Sequence, residues 1–257
     1  MKHIVMYSGG IGSYMAAKRV VKKYGHEDTI LLFSDTMTED EDLYRFINES
    51  TKMLGAELVC LRDGRDIWQV FKDVKFLGNS RIAPCTRILK QEPSRKWVKE
   101  NFSPNEVTLY VGIDWTEYHR LEKVIKNWDP YTVLAPMCDE PLICKKEMLE
   151  ELQNDGIKEP RLYTLGFSHN NCGGFCVKAG QGHFANLLKK MPERYLYHEQ
   201  KEQEMIEFLG SNVAILKRTR DKKTIPLTLK QLREEIETQP EQIDMFDIGG
   251  CGCFMDD

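Results

Sequence analysis

Short apolar runs alternate with amphipathic stretches through the first 135 residues. His3 to Tyr7 is an apolar strand broken by Ser8-Gly9-Gly10. Tyr14 to Tyr24 then follows a helical period, with Ala17, Val20, Val21 and Tyr24 on one face. Thr29 to Phe33 is apolar throughout, as a strand is when helices cover both sheet faces. Asp40 to Leu54 reads as a helix, Glu57 to Leu61 as a strand, and Ile67 to Phe76 and Thr86 to Asn101 as helices, with Pro104 a break. Val107 to Val111 and Thr132 to Leu134 are two further strands. Strand, helix, strand at this spacing predicts βαβ units and a parallel sheet.

The character changes after Pro136. Lys145 to Asn154 is a helix ended by Gly156, and a Gly/Asn/Cys-rich loop runs from His169 to Gly182. Helical stretches follow around Phe184 to Lys190 and Glu193 to Leu209, and the tail carries Gly249-Gly250-Cys251-Gly252-Cys253. The expected fold is a doubly wound, mostly parallel α/β sheet over residues 1–165, with a helical, cysteine-bearing region over 166–257.

Composition changes this little. Hydrophobic residues make up 41% and charged residues 30% of the 257, which excludes disordered, collagen-like and coiled-coil classes. No apolar run approaches the roughly 18 residues of a membrane helix. The start, MKHIVMYSGG, lacks a signal-peptide pattern, so a cytoplasmic protein is expected. Eight cysteines there point to thiols, metal ligands or redox groups before structural disulfides. The net charge of −4 argues against a wholly basic nucleic-acid coat, though not against a local patch.

Ser8-Gly9-Gly10-Ile11-Gly12-Ser13 stands between the first strand and the first helix. Glycines there bring backbone N–H groups close to a ligand, and the helix N-terminus favours an anion. The string GxxxxGK[ST] is absent. A dinucleotide fingerprint fails at Met15, where a small residue belongs. SGGxxS fits without adjustment; the bland alternative is a tight turn with no ligand.

SGGxxS is the loop of the PP-loop adenine-nucleotide superfamily, and further matches follow in order. Phe33-Ser34-Asp35-Thr36 resembles that family's DT element. Cys85 to Pro93, with Lys90 and Glu92, resembles the C-x-x-x-x-K-x-E-P stretch of phosphoadenosine phosphosulfate (PAPS) reductases. Gly112 through Glu117 and Arg120 resembles their G-x-R-x-x-E-x-x-R stretch, and Asp155 to Phe167 their lead into a cysteine loop. These cover residues 3–180. Two positions depart from the pattern. Gly12 stands where many ATP-cleaving members carry a Mg²⁺-binding Asp, and Asp114 sits near the place of the sulfate-reading Arg.

The resemblance implies an enzyme that binds ATP, PAPS or adenylyl sulfate (APS) through Ser8, Gly9, Gly10, Gly12, Ser13, Asp35, Thr36, Arg87, Lys90, Gly112 and Arg120, with Mg²⁺ where ATP is cleaved. Its activity would be that of an oxidoreductase reducing a sulfonucleotide, or of an ATP-dependent sulfurtransferase. The reductase needs a thioredoxin-like electron donor and the sulfurtransferase a sulfur donor. The alternatives are an ATP-dependent tRNA- or DNA-modifying enzyme and a regulatory nucleotide-binding protein with a structural metal. Arg87 and Lys90, three apart on a predicted helix, would face one direction. Asp35, at a strand end, is placed for a ribose, a metal or a helix cap. Trp115, His119 and Arg120 after the fourth strand would line the same crevice.

Cys172-Gly-Gly-Phe-Cys176 lies in a loop whose glycines allow both thiols to turn toward one point. The relatives join this region with that of Cys85, so Cys85, Cys172 and Cys176 are the candidate ligands of a [4Fe–4S] cluster. Zn²⁺ held by His169, Cys172, Cys176 and either His183 or Cys85 competes with that reading, and so does a loop with no metal. Cys60, in an apolar strand, reads as core, while Cys138 and Cys144 flank a turn. Cys85, Lys90, Cys251 and Cys253 are the candidate catalytic residues, the last two because relatives carry a catalytic cysteine on a mobile C-terminal segment. Lys217 to Lys223 holds five positive charges in seven residues, a candidate nucleic-acid contact or a solvated loop. The aromatic helix Arg194 to His198 is expected to pack on the core.

Overall fold

A computed structural model describes residues 1–220, 223–238, 247 and 249. Five strands build the central sheet, and the connections between them cover both of its faces. In chain order the first elements are β1 (Lys2–Met6), α1 (Ile11–Tyr24), β2 (Thr29–Asp35), α2 (Glu41–Leu54), β3 (Glu57–Arg62) and α3 (Ile67–Asp73). Next come the single turn α4 (Pro84–Thr86), α5 (Glu92–Asn101), β4 (Val107–Tyr110), α6 (Leu121–Trp128), β5 (Thr132–Leu134) and α7 (Lys145–Asn154). The sheet order is β3-β2-β1-β4-β5 and every pairing is parallel. The architecture is therefore the doubly wound α/β fold that the alternating pattern predicts.

The strands sort their residues by parity. Val5, Leu31, Phe33 and Tyr110 pack with Ala17 and Val20 of α1 and Phe46 and Ile47 of α2. Ile4, Met6, Ile30, Leu32 and Leu109 pack on the other face with Val98 of α5 and Val124 and Trp128 of α6. Burial on both faces explains why these strands are almost continuously apolar. Cys60 departs from the expectation of a core cysteine: β3 is an edge strand, and Cys60 is exposed.

A third apolar cluster joins Ile67, Val70, Phe71 and Leu89 to residues from Leu162 to Leu232. The elements that build it are α8 (Arg161–Thr164), α9 (Gln181–Lys190), α10 (Pro192–Leu209), the antiparallel pair β6 (Leu216–Arg220) and β7 (Lys223–Leu227), and α11 (Leu229–Thr238). The hairpin and α11 have no counterpart in the sequence reading, where their mixed polar pattern passes for loop. Glu202, on α10 and wholly buried, pins both: its carboxylate accepts from Ile215 N at 2.9 Å and Leu229 N at 2.6 Å. Tyr195 and His198 are buried, His198 stacked on Phe175, so this aromatic helix does pack on the core.

The helix expected over Thr86–Asn101 is not uniform. Arg87–Gln91 forms a π-turn between α4 and α5. The wider turn rotates the side chains away from α-helical spacing. Arg87 consequently points to solvent and pairs with Glu92, whereas Lys90 is buried. The two cations do not share a face.

Candidate functional site

A cavity of about 440 Å³ opens at the C-terminal ends of β1 and β4. From β1 the connections run to β2 on one side, and β4 lies on the other, so this is the point where the strand order reverses. In open parallel sheets that crevice is where ligands bind. One wall is Ser8, Gly10, Ile11, Gly12 and Ser13; the facing wall is Val111 to Glu117 with Arg120; the Ser168–Asn171 loop, Lys145 and Tyr163 close it.

The Ser8–Ser13 segment turns sharply because Gly9 takes φ +75°, a region costly for any side chain. Gly10 then ends the turn as the N-cap of α1, contributing no side-chain cap, and the first turn of the helix carries no acidic residue. Ser13 Oγ donates to Gly10 O at 2.8 Å, and Ile11 N donates to the Tyr163 hydroxyl at 3.0 Å. The amides of Gly12 and Ser13 find no acceptor among the described residues. A helix start of this kind presents donors and a partial positive charge to the cavity. Gly12 and Gly112 serve packing as well: a Cβ on Gly12 would lie 2.7 Å from Gly112 O. Only glycine lets helix and sheet approach so closely here.

The facing wall supplies charge. Arg120, with its side chain 12% exposed, pairs through Nη1 with Glu117, while its buried Nε has no partner among the described residues. Asn170 is buried; its Nδ2 donates to Gly9 O at 2.8 Å, and its Oδ1 is likewise without a partner. Such groups cost free energy until a ligand or water satisfies them. Lys145 Nζ donates to Ser168 O at 2.7 Å and lies 4.0 Å from the Tyr163 ring centroid. Desolvation by the surrounding chain lowers its pKa, outweighing Glu159. Burial lowers the pKa of His169 as well, against the raising effect of Glu117. His169 lines this cavity.

Behind the same loop lies a second, small cavity of about 20 Å³, lined by Thr36, Cys85, Lys90, Cys172 and Cys176. The three cysteines singled out in the sequence therefore line one cavity, although more than eighty residues separate Cys85 from the others. Lys90 Nζ lies 3.7 Å from Cys172 Sγ and 3.6 Å from Glu39 Oε1. Glu39 is buried, accepts from Thr36 Oγ1 at 3.0 Å and also accepts from Cys172 N. Cys172 itself adopts φ +51°.

No protein-family model matches this chain. The uncharacterized protein MJ0066 of Methanocaldococcus jannaschii is 28% identical over 110 residues, 43% of this chain and 22% of that protein. The chain thus spans about a fifth of the length of this curated relative.

Other predicted residues fall elsewhere. Asp35 lines neither cavity: its carboxylate accepts from Met37 N at 2.9 Å, Tyr44 Oη at 2.8 Å and Arg62 Nε at 2.8 Å. The cap of α2 is Asp40, which accepts from Asp42 N at 3.0 Å. Arg87 lies outside both cavities, His119 is exposed, and Trp115 lines the rim with Nε1 donating to Ile143 O at 3.3 Å. His183 Nε2 is 2.7 Å from Gly174 O, a packing role. Cys251 and Cys253 lie outside the described residues; before them, Asp247 accepts from Gln181 N at the start of α9, and Gly249 bridges to Ala179.

Three sulfurs around one cavity are a donor set that suits a soft metal. As packed, however, no group of three histidine, cysteine or acidic side chains among the described residues is disposed to hold a metal ion. No helix among them is long and apolar enough to cross a membrane. Sequence reasoning missed Glu39, Tyr163, Lys145 and Asn170 as site residues. The contacts that tie each of them into the site (Glu39 to Lys90 and Cys172, Tyr163 to Ile11, Lys145 to Ser168, Asn170 to Gly9) are distant in the chain, so no local motif announces them.

Proposed function

We propose that this chain is a PP-loop protein of the PAPS reductase-like branch, binding an adenine nucleotide and carrying out sulfur chemistry beside it. The phosphates would rest on the amides of Gly12 and Ser13 and the hydroxyls of Ser8 and Ser13, with Arg120 on the opposite side. The observation that carries the reading is the uncapped start of α1 at the strand-order reversal, opening into a cavity of about 440 Å³, a size common for small-molecule sites.

The chemistry we favour is sulfonucleotide reduction. A cysteine thiolate attacks the sulfur of a bound adenylyl sulfate, the sulfur–oxygen bond to the phosphate breaks, and the nucleotide leaves as its phosphate. A second thiolate then attacks the cysteine sulfur, giving a disulfide and releasing sulfite; a dithiol donor restores both thiols. Cys85, Cys172 and Cys176 are the candidate thiols within the fold, and Cys251 and Cys253 the candidates on the tail. A negative charge on Cys172 would be met by the Lys90 ammonium.

One observation favours a second reading, ATP-dependent adenylation of an acceptor. Asp114 and Glu117 bring two carboxylates to the cavity wall, the donor type that Mg²⁺ takes. The test is calorimetry of the oxygen-free full chain with ATP, APS and PAPS, followed by product analysis and metal content. Sulfite supports reduction, and AMP with pyrophosphate supports adenylation. A stoichiometric iron or zinc content that is lost when Cys85, Cys172 or Cys176 is replaced by serine would support a metal on those thiols. Failure to bind any of the three nucleotides, or unchanged binding in the Ser8→Ala/Ser13→Ala variant, would overturn the reading.

A further inference from the structure

The start of the basic run, at Lys217 and Arg218, lines neither the cavity at α1 nor the cysteine cavity, and the fold separates these two charges. The run's first residues, from Lys217 to Arg220, lie on β6, where successive side chains face opposite ways. Arg218 turns toward α11 and pairs with Glu235 at 2.6 Å. Lys217 faces away, into an open groove of about 540 Å³ between the hairpin and the segment after α3.

That groove has one sign of charge. Lys75 and Arg81 line it opposite Lys217, and all three are exposed. Among the described residues no aspartate or glutamate lines it, and none of the three cations makes an ion pair. Asn79 and Asn212 add amides, and the half-buried ring of Phe76 adds an apolar surface. Four residues along the chain from Arg81 stands Cys85, on the wall of the cysteine cavity.

We propose that this groove binds a single strand of nucleic acid, with its phosphates on Lys75, Arg81 and Lys217 and a base against Phe76. Cations spaced along an open groove follow a backbone of regular negative charge, and an aromatic ring among them gives an unpaired base a face to stack on. The Asn212 amide and the Asn79 Nδ2, whose Oδ1 already accepts from Arg81 N and Ile82 N, can meet base edges. A free mononucleotide would engage only part of such a surface. The inference stands apart from the nucleotide reading, because none of these residues lines the cavity at α1.

The experiment is fluorescence anisotropy of the full chain with short labelled single-stranded RNA and DNA and a duplex of equal length, over a series of salt concentrations. Each of Lys75→Glu, Arg81→Glu and Lys217→Glu should weaken strand binding on the order of tenfold. Each corresponding alanine variant should lower the log–log salt slope by about 0.7. Lys22→Glu, an exposed lysine on α1, should change nothing, and Ser8→Ala/Ser13→Ala should retain strand binding. Absence of strand binding at low salt, equal losses in Lys22→Glu and the groove variants, or a duplex bound as tightly as the single strand would each overturn the proposal.

Discussion

Replacing Gly12 and Gly10 separately by alanine distinguishes packing from motif. Both belong to the same short string, so a reading of the motif alone treats them alike. In the fold they differ. A Cβ on Gly12 would lie 2.7 Å from Gly112 O, a backbone atom that cannot turn aside. The start of α1 must then move away from the β4 loop by about half an ångström, an overpacking that costs about 1–3 kcal/mol. Alanine regains about 1 kcal/mol of helix propensity at such a position, so Gly12→Ala should be destabilised by roughly 1 kcal/mol net. A Cβ on Gly10 meets only Ser8 Oγ and Tyr163 Oη at 3.5 Å, ordinary contact, and its φ of −93° suits any residue. Gly10→Ala should therefore unfold in urea close to wild type. Denaturation midpoints of both variants decide the matter, with ATP calorimetry showing whether the shifted helix start also weakens binding. A Gly12→Ala protein as stable as wild type, or a Gly10→Ala protein equally damaged, would refute the packing argument.

Burial pushes the Glu202 carboxyl up to about 7, against the two backbone donors that favour its ionised form. Between about pH 4.5 and pH 7 the folded protein holds a proton that the unfolded chain has released. This contribution is thus complete below about pH 4.5 and is lost as pH rises to about 7, on the order of 3 kcal/mol. Urea unfolding at pH 5 and pH 8 should show that fall in wild type and its absence in Glu202→Gln; parallel behaviour of the two would contradict it. Lys90→Met leaves the buried Glu39 carboxylate without that cation and should cost about 3 kcal/mol, whereas Arg87→Ala, at a solvent-facing pair, should leave the melting temperature nearly unchanged. Equal effects of the two would mean that Lys90 is not a buried partner. A chain truncated after Gly249 keeps the Asp247 and Gly249 contacts with the start of α9 but loses Cys251 and Cys253. Nucleotide binding retained with sulfite release lost is the result expected of a catalytic tail, and full turnover would exclude it.

Much of the fold was legible because its sheet is buried on both faces. Continuous apolar strands such as Ile30 to Phe33 and helices with one apolar stripe have few alternatives, and the turn after β1 is encoded by adjacent residues. The hairpin and α11 were not legible, since their polar pattern reflects a partly solvated sheet and a charge paired across elements, Arg218 with Glu235. Helical spacing predicted that Arg87 and Lys90 point the same way; a π-turn separated them, and hydrogen-bond register is a matter of packing that residue types do not announce. Asp35 carries the local marks of a ligand-binding residue, yet Tyr44 and Arg62, nine and twenty-seven positions away, engage its carboxylate.

By itself, then, the sequence determined the order of strands and helices through β5, the serine–glycine turn at the start of α1 and the cysteine content, because each depends on neighbours within a few residues. Only the tertiary structure decided that Gly12 packs on Gly112, that Tyr163 and Asn170 hold the turn, and that Cys85 shares a cavity with Cys172 and Cys176. It also decided that Lys75 and Arg81 stand across a groove from Lys217. Those pairings depend on which surfaces the sheet order brings together, and that order emerges only when the whole chain buries its apolar faces at once.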